Sequence, residues 1–190
     1  MDPSFSKNDL NMFYKYLDKA TNYFEYGSGG STYQASIRVN IKCIVSVESD
    51  IVWYNLLSNK ITHSNFHFKL IDLKCKPNNL GYPSELCSEN DKISYSEAIK
   101  NKISKETSNK LDLILIDGRY RVACALKIHS IVNNNCKIIF DDFLNRPHYH
   151  IILNYYNIIE KTEDNRMVVL QKKNINVPLE LIKKYEKVPS

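Results

Sequence analysis

Apolar residues recur along this chain in two rhythms, one of about 3.6 and one of about 2, and the two take turns. Leu10, Phe13, Tyr14 and Leu17 share one face of a helix that Ser6 or Asn8 can cap. Thr21 to Tyr26 reads as a short apolar strand with Glu25 near its end, followed by a Gly27-Ser28-Gly29-Gly30 turn and a helix from Ser31 to Val39 that Asn40 closes. Cys43 to Val47 is a second strand, ending on Glu48. Ser49 or Asp50 caps a helix whose Val52, Trp53, Leu56 and Leu57 form one apolar stripe, and Trp53 in that stripe reads as core rather than as a ligand platform. Phe66 to Ile71 makes a third strand ending on Asp72. The stretch from Lys74 to Asn90, with Pro77, Gly81 and Pro83, is the longest loop and a candidate lid. Ser94-Tyr95-Ser96-Glu97 has the capping-box pattern and opens a helix containing Ala98, Ile99 and Ile103. Leu111 to Ile116 is a buried strand running into Asp117-Gly118-Arg119-Tyr120-Arg121, and a helix carrying Val122, Ala123, Leu126 and His129 follows. Cys136 to Phe140 is a strand ending in Asp141-Asp142, and Arg146-Pro147 opens a helix through Tyr155 or Tyr156. Ile158–Lys161 and Met167–Leu170 flank a turn at Glu163-Asp164-Asn165, which predicts a hairpin, and Leu179 to Tyr185 adds a short helix.

Strands and helices alternating in this way, with a hairpin at the end, predict an α/β fold: a doubly wound, Rossmann-like, mostly parallel sheet with an antiparallel C-terminal edge. Residues 1–20 form an N-terminal helix, 21–172 the core and 173–190 a tail of one domain. In such sheets ligands bind at the carboxyl ends of the strands. Every strand end here carries a carboxylate: Glu25, Glu48, Asp72, Asp117, and Asp141 with Asp142.

Composition narrows the class. The hydrophobic fraction of 43% and charged fraction of 25% are those of a globular protein. No apolar run approaches the roughly 20 residues of a membrane span, and Met1 to Lys7 lacks the basic and apolar segments of a secretory signal. A cytoplasmic protein is expected. The five cysteines, Cys43, Cys75, Cys87, Cys124 and Cys136, fall mostly within apolar patterns without a Cys-x-x-Cys and read as reduced core residues. The net charge of +5 comes from scattered lysines in a sequence rich in Lys, Asn, Ile and Tyr, the residues of A/T-rich codons. That composition fits a protist or a large DNA virus infecting one, in which case the host cytoplasm is the compartment. It disfavours a dedicated nucleic-acid surface. His63 and His67, about 13 Å apart along an extended chain, do not make a metal pair.

The glycine turn carries the candidate chemistry. A backbone turning sharply after a strand leaves room for a ligand to press against it, and Glu48, at the end of the next strand, suits the two hydroxyls of a ribose. The third glycine of a dinucleotide fingerprint is replaced by Thr32. The Glu25-x-Gly27-x-Gly29 arrangement, with Glu48 on the next strand, resembles the first two motifs of class I S-adenosylmethionine-dependent methyltransferases. From Asn22 to Leu170 the chain is similar to a compact member of that class, nearest a group of small bacterial and viral proteins. These share the run ending in Ser31-Thr32, the Asp117-Gly118-Arg119 element and a later Asp141-Asp142 with Arg146-Pro147-His148-Tyr149. The resemblance implies S-adenosylmethionine as cofactor, held by Glu25, Gly27, Ser28, Gly29, Ser31, Thr32, Glu48, Ser49, Asp72 and Asp117.

Asp117, Asp141 and Asp142, on neighbouring strand ends, are candidate ligands for one magnesium ion, which would acidify an acceptor hydroxyl. The alternative is that they cap a helix or pair with Arg119, Arg121 or Arg146. The same pattern is similar to catechol-type and macrolide- or aminocoumarin-sugar O-methyltransferases, which implies O-methylation of a small molecule, a sugar or nucleotide-sugar preferred. Where the catechol enzymes have a lysine, this chain has Arg119 and Arg121, so deprotonation is left to an aspartate such as Asp117, to His148 or His150, or to the metal alone, with Arg121 as a further catalytic candidate. The Asp117 element is no Asp/Asn-Pro-Pro-Tyr, which argues against DNA amino-methylation. A non-catalytic scaffold of the same fold, and a nicotinamide-dependent oxidoreductase, are the rivals. A homodimer burying a terminal segment is the default assembly.

Overall fold

The structure is a computed structural model and describes residues 1–76, 79–102 and 110–189. In chain order it contains α1 (Lys7–Leu17), β1 (Asn22–Tyr26), α2 (Gly30–Ser36), β2 (Cys43–Glu48), α3 (Ile51–Lys60), β3 (Phe66–Leu70) and α4 (Glu89–Lys102). Then follow β4 (Leu113–Ile116), α5 (Arg121–Ile128), β5 (Lys137–Phe140), a 3-10 helix (Pro147–Asn154), β6 (Tyr156–Lys161), β7 (Val168–Lys172) and α6 (Leu179–Tyr185). The strands join in one sheet in the order β3-β2-β1-β4-β5-β7-β6. The first five are parallel, and β7 runs antiparallel to both β5 and β6, which is the expected hairpin edge.

The central strands are apolar at successive positions because helices cover both faces of the sheet. Successive side chains point to opposite faces. Phe24, Tyr26, Val45, Val47, Ile114, Ile116, Ile138 and Phe140 pack with residues of α4 and α5 on one face. Tyr23, Ile44, Leu113, Leu115 and Ile139 pack with Met12, Phe13 and Leu17 of α1 and Ala35 of α2 on the other. The same alternation turns Glu25 toward the α2 face, a point that matters below. Among the described residues no helix is long and apolar enough to cross a membrane.

Three local expectations are corrected. Ser94 does not open α4, which starts at Glu89: Ser88 Oγ accepts from the Asp91 N–H (3.1 Å), and the Asp91 carboxylate accepts from the Ser88 N–H (3.3 Å) and hydroxyl (2.6 Å). Ile103 lies outside the described residues. The α3 stripe is only partly buried: Leu57 is in the core, while Val52, Trp53 and Leu56 are 67%, 41% and 47% exposed. The reason is that α3 lies over β3, the edge strand, where Tyr54 packs on Phe68 at 4.5 Å, and the outer side of the helix stays exposed. The segment opened by Arg146-Pro147 is helical as expected, but wound as a 3-10 helix.

The chain leaves β1 toward one edge through β2 and β3 and returns to β4 on the other side, so the order reverses between β1 and β4. Gly27 and Gly118 meet just beyond these two strands. Gly27 has φ +86°, and a Cβ on it would lie 2.6 Å from both Cα and N of Gly118. Both the left-handed backbone and the contact demand glycine. Gly27→Ala is expected to destabilise the protein by at least about 1–3 kcal/mol, read as a lowered midpoint of urea unfolding; an unchanged midpoint would mean the two strand ends can part freely.

Candidate functional site

A cavity of about 360 Å³ opens at this reversal point, within the size range of small-molecule sites. The residues that follow β1 (Gly27 to Ser31), β2 (Glu48 to Asp50), β4 (Asp117 to Arg119, with Arg121) and β5 (Asp141, Asp142) line it. Trp53, the Leu80-Gly81 stretch of the long loop, Arg146, Arg166 and the segment Asp2 to Phe5 complete the wall. A Cβ on Gly29 would meet nothing within 4 Å, so the turn borders open space there. At Gly30 the backbone of Asp2 approaches to 2.2 Å of where a Cβ would be, which seats the N-terminal segment against the turn.

Glu48 is the most firmly placed carboxylate in the wall. Its Oε2 accepts from the Ser28 N–H (2.7 Å), and its Oε1 accepts from the N–H groups of Ser49 (2.6 Å) and Asp50 (2.8 Å). Burial raises its carboxyl above the usual range, opposed by these three donors. Oε1 also accepts from the Ser49 hydroxyl (3.3 Å), whereas Oε2, with one donor, keeps a lone pair for a ligand, and the side chain cannot swing away from a diol without breaking backbone hydrogen bonds.

Glu25 and Thr32, expected to touch cofactor, do not line the cavity. Strand alternation points Glu25 behind the turn, where it is fully buried and accepts from the Ser31 and Thr32 hydroxyls, the latter at 2.7 Å. Thr32 Oγ1 in turn accepts from the Gly29 N–H (2.9 Å). Glu25 therefore shapes the glycine turn from below. Burial pushes its carboxyl up to about 8, the two hydroxyl donors lowering it and Glu48 raising it. Asp72 is also not at the site: it pairs with Lys74 (2.8 Å) and borders a separate cavity between β3 and α4. His148 is exposed on the 3-10 helix beside Tyr149, and His150 is bonded to the Phe143 carbonyl (3.1 Å); neither lines the cavity.

The aspartates and arginines interlock. Arg121, 3% exposed, donates to the carbonyls of Gly118 (2.9 Å), Asp117 (3.1 Å) and Asp141 (2.7 Å), and its guanidinium lies 3.0 Å from Asp117 Oδ1 and 3.6 Å from Asp141 Oδ2. It fastens the ends of β4 and β5 together, which makes it a positioning residue. Arg166, from the β6–β7 turn, reaches Asp142 (2.9 Å) and Asp141 (3.4 Å), and Arg146 reaches Asp142 (2.7 Å). The three aspartates expected to hold magnesium do come together at the site, each beside a guanidinium group. The carboxylates of Asp117, Asp141 and Asp142 face guanidinium groups, and no group of three or more His, Cys, Asp or Glu among the described residues is arranged to hold a metal. The arginines supply the charge compensation that a cation would bring. Asp117 is raised well above the usual carboxylate range by burial and by Asp141 beside it, against the opposing pull of Arg121.

Arg166, Trp53 and Asp2 to Phe5 were not legible as site residues. Arg166 is separated from Asp141 by the 3-10 helix and β6, and the antiparallel return of β7 against β5 brings them together. Asp9 on α1 is likewise buried beside Arg166 (3.8 Å). Tyr120 (φ 53°) and Asp142 (φ 56°) both take left-handed backbone at the strand ends bordering the cavity, a costly conformation that clusters at functional sites.

No protein-family model matches the chain, and no curated protein matches it. Solved structures do. A methyltransferase-like protein from Silicibacter pomeroyi aligns over 97% of this chain and 94% of its own, at 20% identity and TM-score 0.81. A Streptococcus mutans protein in complex with SAH aligns over 89% and 100%, at 8% identity and TM-score 0.57. The B. subtilis m1A22 tRNA methyltransferase TrmK aligns over 90% and 67%, at 13% identity and TM-score 0.53. The chain has the mixed α/β fold of these methyltransferase-like structures, with the C-terminal antiparallel hairpin.

The buried carboxylates set a pH dependence. Folded Glu25 keeps its proton to about pH 8 from an ordinary value of 4.5. The stability linked to it is full below the unfolded value and is lost as pH rises toward 8. Asp9, Glu48 and Asp117 are raised and act in the same direction. The thermal midpoint of the ligand-free protein is expected to fall as pH rises from 4.5 toward about 8, and Glu25→Gln to flatten that fall. An equal slope in the variant would remove Glu25 as its source.

Proposed function

We propose that this chain is an S-adenosylmethionine-dependent methyltransferase that methylates a hydroxyl of a small molecule, with a sugar or nucleotide-sugar as preferred acceptor. The observation that carries the reading is the open space over Gly29 beside Glu48, whose carboxylate three backbone N–H groups hold in place at the order reversal of the sheet. These residues fit an adenosyl cofactor: Glu48 accepts from the ribose hydroxyls, the Gly27–Gly29 backbone borders the amino-acid portion, and Trp53 and Leu80 offer apolar surface to the base. The SAH complex of the Streptococcus mutans protein, on the same fold, supports the choice of cofactor. Thr32, committed to Glu25 and Gly29, stands where a dinucleotide fingerprint has glycine, which favours this cofactor over nicotinamide.

The bound cofactor supplies a sulfonium methyl as electrophile. Asp117 lies on the far side of the glycine contact from Glu48, and its raised pKa suits a carboxylate that takes the acceptor's hydroxyl proton near neutral pH. Arg121 holds the Asp117 backbone and one of its oxygens, which keeps the base aimed into the cavity. Because guanidinium groups compensate Asp141 and Asp142, the transfer proceeds without a divalent ion.

Calorimetric titration with S-adenosylmethionine and SAH, with NAD as control and EDTA present throughout, tests this directly. Micromolar binding of the sulfur compounds and none of NAD is expected; absence of binding to either sulfur compound would end the methyltransferase reading. Asp117→Asn should retain cofactor affinity and lose about 100-fold or more in transfer to a sugar acceptor. A transfer rate that disappears with EDTA and returns with magnesium would overturn the metal-free step.

A further inference from the structure

Four guanidinium groups border the cavity, and one of them stands apart. Arg121, Arg146 and Arg166 are each matched to aspartates at 2.7–3.0 Å. Arg119 has no ion pair among the described residues, although Asp117 is two positions away on the same strand end. Its guanidinium lies over the ring of Tyr82, 5.7 Å from the centroid, and its backbone N–H is tied to the Tyr95 hydroxyl (3.3 Å). Tyr82 itself donates to the Pro189 carbonyl (3.2 Å), so the ring beneath the cation is held in place. Arg119 is half-buried, and burial together with neighbouring Arg121 pushes its pKa down, whereas the aspartates around Arg121 and Arg166 push theirs up. A partly desolvated cation without a counter-charge is costly unless a ligand supplies one.

We propose that Arg119 is the anion-binding residue of the cavity, and that the methyl acceptor carries a phosphate or carboxylate group that its guanidinium grips. A planar fork of N–H donors matches either group with two parallel hydrogen bonds. The stack on Tyr82 holds that fork before the ligand arrives. This deepens the methyltransferase reading and rests on it for the word acceptor: a nucleotide-sugar or sugar phosphate meets the requirement, while an uncharged sugar leaves Arg119 without a partner. The cofactor's own amino-acid carboxylate has the same chemistry and is the other source to distinguish.

The test uses the full chain, saturated with SAH and titrated with inorganic pyrophosphate. Wild type is expected to bind it, Arg119→Gln to weaken binding by about tenfold or more, and Arg119→Lys to recover part of the loss, all with SAH affinity unchanged. Three outcomes overturn the proposal: no pyrophosphate binding by SAH-saturated wild type, binding unaltered in Arg119→Gln, or a variant that loses SAH while keeping 5′-methylthioadenosine, which lacks the carboxylate. The last would assign Arg119 to the cofactor. If wild type binds no SAH, the methyltransferase reading fails by itself. Pyrophosphate titration of the ligand-free protein then still decides whether Arg119 binds anions.

Discussion

The close approach of Gly27 and Gly118 is the constraint on which the site depends. Two parallel strands whose chain paths diverge leave a crevice beyond their ends, and here the crevice floor is a backbone-to-backbone contact with no room for a single methyl group. Because the floor is bare backbone, the side chains flanking it are set at fixed distances from one another. Glu48 is anchored on one side by three N–H groups and Asp117 on the other by Arg121. Loosening either glycine would move both walls.

Charge is organised around that floor in layers. Behind the turn, Glu25 holds the Ser31 and Thr32 hydroxyls in a dry setting that favours its protonated form. In the wall, Glu48 stays fixed by backbone donors. Beyond β4 and β5, aspartates and arginines alternate, so that Asp141, 2% exposed, is paired with Arg121 and Arg166. Pairing of this kind is expensive to break once buried, because removing one partner strands the other. The left-handed backbone at Tyr120 and Asp142 falls at the two strand ends where these pairs meet. Against this matched background Arg119, the cavity-lining guanidinium without an ion pair among the described residues, is the feature that points outward to a ligand.

Much of this was legible in the chain. The alternation of periods identified the strands and their order along the sequence, and the Glu163-Asp164-Asn165 turn marked the closing hairpin, because backbone geometry imposes those rhythms locally. Glu48, the glycine turn and Asp117 were found as site residues because each sits at a strand end, where the direction of the chain alone places it near a ligand. Asp72 also ends a strand, yet β3 is the sheet edge and its end opens onto a different cavity. Glu25 lies one residue short of its strand end, and the pleat sends it to the opposite side of the turn.

By itself, then, the sequence determined the strand and helix periods, the hairpin and the glycine turn, since these follow from propensity and steric limits acting over a few residues. Tertiary structure alone decided which charges meet. Asp9 from the N-terminal helix and Asp141 and Asp142 from the end of β5 meet around Arg166, Arg121 fastens two strands with its three donors, and Trp53, 41% exposed, is left at the cavity rather than in the core. Such pairings depend on distances between residues far apart in sequence, and the physical forces that act along the chain carry no record of them until the sheet has closed.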